Sequence, residues 1–588
     1  MMSVLLRSSS CLYRNVTAAS SRTTSVARTY ATQHKLRDKY DAIVIGGGHN
    51  GLVAAAYLAR GGQSVCVLER RHIVGGAAVT EEIVADFHFS RASYVLGLLR
   101  PQIFQDLELE RHGLVVYPRV PSSYTPLHER YWGEGKGRSL TLGNADHQEN
   151  YRQVAQFSKK DAQALPKFEE LLSKFSDAIE PLLDEIPPDL PKLHGLGWFG
   201  KLRAAPKSAL PLLKAAKTLG KDIPQFYELM TAPTTKILDR WFESEPLKAT
   251  LATDSVIGAM ISPDTPGSGY VLLHHVMAQT AGGRGAWGYP KGGMGGVTQA
   301  MAKAAEEHGA HLFTSKPVKN ILIENEIEAV GVETEDGNRI YAKTILSNAT
   351  PQVTFKNLIP SGLLPEEFER AVNAVDYTSP VCKINVALRS LPNFSADPTS
   401  SSGTVMPHHR GTIHLNCERT ELLEEAYQQA KQGLIPDNPM IEMTLPSSCD
   451  SSIAPPGCHV ALFFTQYVPY MLADGRTWDD DLKKQYAEKI FSIAEEYAPG
   501  FKDSIVDYEV LPPPELEKIF GLTGGNIFHG SMSLDQLYIS RPTALHTSPS
   551  TPIPGLLLCG SGGHPGGGVM GAPGRLAALQ ALNHLKRR

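Results

Sequence analysis

The sequence predicts an α/β fold: a Rossmann-like nucleotide-binding unit with an α+β region and a helical lid interleaved through it. Three patterns carry that reading. A strand, a glycine-rich turn, a helix and a second strand follow one another between Tyr40 and Glu69. An apolar strand near the C-terminus delivers a glycine cluster to a last helix. Between these, residues 150–255 show apolar positions at three- and four-residue spacing, the mark of helices that bury one face.

At 588 residues the chain exceeds what one hydrophobic core sustains, so several structural units are expected. Hydrophobic residues make up 42% and charged residues 20%, enough for a packed interior. A net charge of −4 gives no electrostatic case for nucleic acid. The seven cysteines are scattered and none forms a C-x-x-C pair, which argues against a disulfide scaffold, a zinc ribbon or a dithiol redox centre. No metal site is expected. Cys449 and Cys458 could meet across a turn, but two unrelated cysteines are the plainer reading.

Each element follows in order. Asp41–Ile45 reads as a buried parallel strand, Leu52–Arg60 as an Ala-rich helix closed by Gly61-Gly62, and Ser64–Leu68 as the next strand. Short strands and loops are expected from 83 to 145, then the helical lid (150–260) with a proline-rich connector at Glu185–Pro191. A glycine-rich run, Gly282–Gly296, leads into a helix at Val297–His308. Strands are expected at His311–Thr314, Val318–Glu324 and Ile327–Val332. Strands and helices then alternate, with helices at Glu421–Gln432 and Leu482–Tyr497, and Ser395–Gly403 reads as a surface loop. The chain closes with a strand at Gly555–Cys559 and a helix from Pro573 to Leu585.

The sharpest motif is Gly46-Gly47-Gly48-His49-Asn50-Gly51, a G-x-G-x-x-G between strand and helix. Gly46 permits the tight turn, Gly48 lets the backbone approach a pyrophosphate, and Gly51 lets the helix pack on the strand. The anion would sit at the helix N-terminus, on free N–H groups and the positive dipole end. Glu69 ends the second strand, placed to accept from the adenosine ribose hydroxyls. The motif alone does not separate FAD from NAD; two further features favour FAD. Glu69-Arg70-Arg71 runs on to Gly75-Gly76, a second close backbone approach suited to a long cofactor. The cluster Gly560, Gly562, His564, Gly566–Gly568 and Val569 follows a strand but is followed by none, so it reads as a return of the chain over the flavin end.

At these residues the chain resembles the phytoene-desaturase-like FAD oxidoreductases, relatives of the amine oxidases. The string GGGHNGLVAAAYLARGGQSVCVLERRHIVGGAAVTEE (46–82) is similar to that family's opening signature nearly throughout. Tyr289-Pro-Lys-Gly-Gly-Met294, Pro317-Val318 and Gly560–Gly571 are similar as well. The resemblance implies a discontinuous FAD-binding domain (38–100, 283–355, 540–588), with a substrate domain formed by 101–149 and 375–539; a non-covalent FAD is expected, because no residue type and position compels a covalent link. By the family pattern Ile45 through Gly51, Glu69, Arg70, Gly75 and Gly76 hold the cofactor. Val318 contacts the adenine through its backbone, and Gly560, Gly562, Gly568 and Val569 border the ribityl chain and ring.

FAD carries the hydride or electron chemistry, so the protein's share is to position the substrate and handle its proton. His564 is the best single candidate for a base, against a plainer role hydrogen-bonding the backbone around Pro565. His49 reads as shaping the glycine loop; Tyr289 and Lys291 read equally as substrate border or structural turn. The related desaturases act on apolar polyenes, so an apolar small-molecule substrate is one expectation. A flavin-stabilised interaction or regulatory protein with little turnover is the alternative.

Two surface readings complete the set. Residues 1–34 hold four arginines (Arg7, Arg14, Arg22, Arg28), many hydroxylated residues and no acid before Asp38, the composition of a mitochondrial transit peptide, so a matrix location is expected. Lys201–Lys221 carries six basic residues interleaved with leucines and no acid. A short helix from Pro211 with Leu210, Leu213 and Ala216 on one side would suit peripheral contact with the inner mitochondrial membrane. A lid helix whose leucines pack on the core is the competing account.

Overall fold

The computed structural model describes residues 34–133, 137–188, 198–280, 283–399, 403–544, 546–547 and 549–586. The transit-peptide stretch and part of the 185–191 connector lie outside them. Strand β1 (Lys39–Ile45) runs into helix α1 (His49–Arg60) and strand β2 (Val65–Leu68). Ala42, Ile43, Val44 and every residue of β2 are buried: Ala42, Val44, Val65 and Val67 pack into one apolar cluster with α1, and Ile43, Cys66 and Leu68 into a second with Ile321, Ala329, Val332 and Phe355. Around β1 the sheet has seven strands. On one side lie β2 and then His311–Phe313, both parallel.

On the other side lies Arg339–Ser347, parallel to β1 from Tyr341 to Ser347. This strand has two further neighbours. Its first half pairs antiparallel with Glu328–Thr334, which in turn pairs with Val318–Glu324; its last residues pair in parallel with Leu556–Leu558. The sequence reading missed this strand. Its burial alternates over Arg339–Lys343, with Ile340 and Ala342 inward, and becomes continuous over Thr344–Ser347, so neither strand template matches its whole length.

Helix α1 is the apolar pivot of this half. Leu52 to Ala59 are buried between the helices Gly295–Glu307 and Ala572–Leu585. Its alanines allow close packing, and Gly574 brings the last helix so near that a Cβ there would lie 2.0 Å from the Asn50 carbonyl oxygen.

A second seven-stranded sheet runs in the order Ile505–Leu511, Cys382–Leu388, His459–Gln466, Met440–Thr444, Thr412–Leu415, Ser123–Pro126, Ser139–Leu142. One face packs on Asp480–Tyr497 and the other turns toward the first unit. Between the two sheets lies the helical layer. It begins at His147 and continues to Val276, further than residue 260, because Ser268–Val276 packs into the same apolar cluster as Phe168, Leu172 and Phe175. The Asp161 carboxylate anchors this layer, accepting from the backbone N–H groups of Glu243 and Ser244 and from the Ser244 hydroxyl.

The basic helix spans Trp198–Leu219 rather than starting at Pro211. Among its described side chains Ala215 and Leu219 are buried, whereas Leu210 and Leu213 are 51% and 64% exposed, so these two leucines do not pack on the core. Among the described residues no helix is long and apolar enough to cross a membrane. Cys449 carries a free thiol, so it forms no bond to Cys458.

Arg541 is wholly buried and donates to the backbone carbonyls of Phe528, Gly530, Ser531 and Ser561, two of these bonds reaching Ser561 at 2.9 and 3.0 Å. It thereby fastens the C-terminal glycine cluster to residues 528–536. Arg541→Met keeps the volume but strands those acceptors, and is expected to destabilise the protein by at least about 3 kcal/mol. An unchanged denaturation midpoint for that variant would show the anchor to be dispensable.

Candidate flavin and substrate cavity

The turn after β1 closes on itself. The Gly46 N–H donates to the Leu68 carbonyl at 2.9 Å, and Gly46 has φ +92°, open to a residue without a Cβ. The Glu69 carboxylate accepts the Gly47 N–H at 2.7 Å and the Arg71 N–H at 2.8 Å. The second glycine pair reaches the first: Gly75 N–H donates to the Gly47 carbonyl at 2.8 Å, and a Cβ on Gly76 would stand 3.0 Å from Gly48 Cα. Two bare backbone stretches therefore face one another at the start of α1, where N–H groups are free to bind an anion.

From this cradle a single cavity of about 1580 Å³ extends to the lid. That exceeds the roughly 300–1,000 Å³ of ordinary small-molecule pockets, leaving room for a dinucleotide and a second molecule. Ile45, Gly46, Gly48, His49, Asn50, Glu69, Arg70, Gly76, Val318, Gly568 and Val569 line it.

The other proposed positions do not line it. Gly47 and Gly75 tie the loops, and Gly51 packs on Gly46, where a Cβ would lie 2.1 Å from the carbonyl oxygen. Gly560 and Gly562 pack on Asn348 and Pro351. His564 is buried away from the cavity, its Nε2 2.9 Å from the Leu182 carbonyl, and burial pushes its imidazole down to about 4. The backbone role, not the base, fits that setting. Its partner is the lid helix Lys159–Leu183, not the neighbourhood of Pro565. Tyr289 is buried in a two-stranded pairing with Tyr117 and does not line the cavity, nor does Lys291.

The cradle fits FAD on its own atoms. Arg71 lines the cavity, and its buried Nη1 has no partner among the described residues although Nη2 binds Glu81. His49 Nε2 is likewise buried without a partner, and burial holds that imidazole at about 4, hence neutral. Val569 adopts φ +52°, unusual for a β-branched residue and held by the surrounding chain at the cavity wall. Asn348, missed from sequence, lines the cavity, and its side chain donates to the Gly46 carbonyl at 3.3 Å.

The far half of the cavity rests on the second sheet. His414 pairs across strands with Glu442, Glu442 with Phe464, and Phe464 with Lys383. These four form one cross-strand row, and all line the cavity. Glu442 accepts from the Tyr94 hydroxyl at 2.6 Å and lies 3.3 Å from His414 Nε2. Burial works against its charge, but the bonds from His414 and Tyr94 outweigh it and hold the carboxyl below the usual range. Lys383 is 1% exposed, hydrogen-bonds Asn385, and sits 5.7 Å above the Tyr94 ring. Burial pushes its ammonium down to about 7, with Glu509 opposing. Nothing local in the sequence marks this row, because its members are brought together only by strand register.

The glycine cradle and the buried titratable row thus share one continuous cavity. A family model for flavin containing amine oxidoreductases matches residues 51–427, and the chain belongs to that family. It is 54% identical over 94% of its length, and 94% of the relative's, to pyridine nucleotide-disulfide oxidoreductase domain-containing protein 2 of Rattus norvegicus. It is 25% identical to the phytoene desaturase (lycopene-forming) of Pantoea ananas, over 92% of this chain and 98% of that one. The fold matches an oxidoreductase from Methanosarcina mazei with a TM-score of 0.56 and 17% identity, covering 93% of this chain and all of the other.

Gly48→Val would drive methyl groups into the gap between the Asn348 amide, 3.0 Å from the new Cβ, and Gly76. Purified protein should then carry little or no flavin per chain. Undiminished flavin absorbance in a folded variant would place the cofactor elsewhere.

Proposed function

We propose that the protein is an FAD-dependent oxidoreductase, holding FAD non-covalently and taking a hydride and a proton from an organic substrate bound beneath the lid. The observation that carries this reading is Lys383: a buried amine near half-protonation at neutral pH, in the cavity that also contains the glycine cradle. When bound, FAD supplies the two-electron acceptor. The chain's own work is different. The helical layer and second sheet exclude water from the substrate half. His414 and Tyr94 keep Glu442 charged, and its field holds the row in place. Lys383, as the neutral amine, accepts the substrate proton at Nζ.

A protein with a flavin kept only for structure has no need of such a row, because buried ionisable groups cost several kcal/mol unless compensated.

The sign of the pH dependence follows from Lys383. Its folded pKa lies below the unfolded one, so the neutral form is favoured in the folded protein. Substrate-driven flavin bleaching is therefore expected to rise with pH through about 7 and then level off. Lys383→Met should abolish that rise and slow bleaching by roughly a hundredfold or more. Stability moves the same way: between pH 7 and the unfolded lysine value the unfolded chain binds the extra proton, so stability climbs with pH. The methionine variant should be the more stable protein below pH 7. A wild-type rate independent of pH across this range would remove Lys383 from the proton's path.

We infer further that the protein works in the mitochondrial matrix against the inner membrane. The arginine-rich, acid-free residues 1–34 support the first part. Exposed Leu210 and Leu213, on the helix that carries Lys214 and Lys217, support the second, since aliphatic residues beside lysines suit an anionic lipid surface. A chain starting at Lys35 should stay outside mitochondria, and binding to cardiolipin vesicles should weaken with salt. Unchanged import would overturn the location; flotation indifferent to salt and to Lys214→Glu with Lys217→Glu would overturn the membrane contact.

A further inference from the structure

Among the described residues three arginines are buried, and two of them are compensated. Arg100 is bound by Asp184 and Glu180, and Arg541 by backbone carbonyls. Arg119 is the exception. It is 7% exposed, yet no carboxylate among the described residues lies within ion-pair distance. Its Nη1 donates to the Thr412 hydroxyl, its Nε approaches the Trp287 carbonyl at 3.4 Å, and its guanidinium stacks 5.6 Å over the Tyr289 ring. These contacts are neutral. They hold the guanidinium in place without cancelling its charge.

Arg119 lines the substrate half of the cavity, and its anchor Thr412 lies two residues before His414 on the same strand. Neither nearby acid is bonded to it: Glu442 is engaged by His414 and Tyr94, and Asp254, whose carboxyl burial raises, makes no ion pair with the guanidinium. A buried cation without a counter-charge costs several kcal/mol, so the ligand is the natural source of the missing anion.

Polar groups such as His147, Glu169 and Asp254 share this half with an apolar stretch of wall. Leu165, Phe168, Leu172, Leu251, Leu272 and Trp287 line the lid side. A single guanidinium fork matches a planar carboxylate, with two parallel N–H···O bonds. A phosphate dianion would meet the negative charge of Glu442 with no second fixed cation beside Arg119.

We propose that the substrate of this site is an amphipathic carboxylate, its carboxylate held by Arg119 and its aliphatic body lying against the lid wall. This rests on the reading that the second half of the cavity holds the molecule to be oxidised. It narrows the apolar-substrate expectation: a pure hydrocarbon would leave Arg119 buried and uncompensated.

The test uses the purified flavoprotein and four ten-carbon probes: decanoate, decan-1-ol, decylammonium and decyl phosphate. Binding is followed by calorimetry and by the shift in the flavin absorbance band. Decanoate should bind at least tenfold more tightly than the alcohol, about 1.4 kcal/mol, and decylammonium more weakly still. Arg119→Gln should erase the preference for decanoate over decanol while leaving flavin content unchanged, and Arg119→Lys should restore part of it. Equal affinity for decanoate and decanol in the unaltered protein overturns the proposal, and so does a preference that survives Arg119→Gln. Binding of decyl phosphate as tight as decanoate overturns the carboxylate assignment. These measurements need no turnover. A carboxylate preference in a protein whose flavin no acid reduces would leave the anion site standing and sink the oxidoreductase reading. Flavin reduction by uncharged substrates alone, with no headgroup preference, would do the reverse.

Discussion

Both oxygens of the Glu69 carboxylate are committed to backbone. One holds the Gly47 N–H at 2.7 Å and the other the Arg71 N–H at 2.8 Å. That pairing joins the end of β1 to the segment leaving β2, and the Gly75 bond to Gly47 completes the closure. The glycine turn would otherwise be the least ordered part of the sheet edge, since glycine loses more backbone freedom on folding than any other residue. Charge-assisted bonds to backbone N–H groups are about twice as strong as neutral ones, which makes an acid at this position a suitable clamp. The use of this acid as a ribose acceptor, expected from the fingerprint, is compatible with the structural use found here. A carboxylate offers about four lone-pair sites, and two are occupied.

The two halves of the cavity handle buried polarity in opposite ways. In the cofactor half the Glu69 carboxylate is spent on backbone N–H groups, Arg71 is paired with Glu81, and His49 is held neutral. In the substrate half charges are buried outright. Glu442 is balanced by His414 and Tyr94, whereas Lys383 gives up part of its charge to burial. Lysine and arginine part company here. An ammonium in this setting can shed its proton near neutrality, whereas a guanidinium cannot, so only the former can cycle a proton and only the latter can serve as a fixed positive anchor. Lys383 and Arg119 thus occupy one cavity without duplicating each other.

What the sequence made legible was whatever chain order places together. The 46–51 turn, Glu69 and Gly75-Gly76 are contiguous, and their physical roles can be reasoned from spacing alone. The C-terminal cluster was legible as a returning strand and turn, but not in its detail. Position near a flavin motif suggested His564, whereas the ring turns to Leu182 because the lid helix packs there. The 339–347 strand escaped because its two ends face different surroundings, and Asn348, which braces the glycine turn, went unnoticed with it. The helix at Trp198–Leu219 begins upstream of where a first-turn proline at Pro211 would start it, because it carries both Pro206 and Pro211 internally. The row from His414 to Lys383 involves four strands between residues 382 and 466, and only hydrogen-bonded register makes them neighbours.

Register also decides when in folding the site can exist. Arg339–Ser347 is paired with β1 on one side and with Leu556–Leu558 on the other, so the sheet beneath the cradle joins residues 39–45 to residues 556–558. Contacts of that sequence separation form late, because closing long loops costs entropy before the contact repays it. Until the last strand docks, neither Gly568 nor Val569 can border the cavity, and Gly574 cannot hold the final helix against the start of α1. A ligand bound to the finished cradle therefore stabilises by mass action a state that the unfinished chain cannot offer. The interleaved chain order thus makes flavin binding a property of the completed protein, and the same completion encloses the substrate half between the lid and the second sheet.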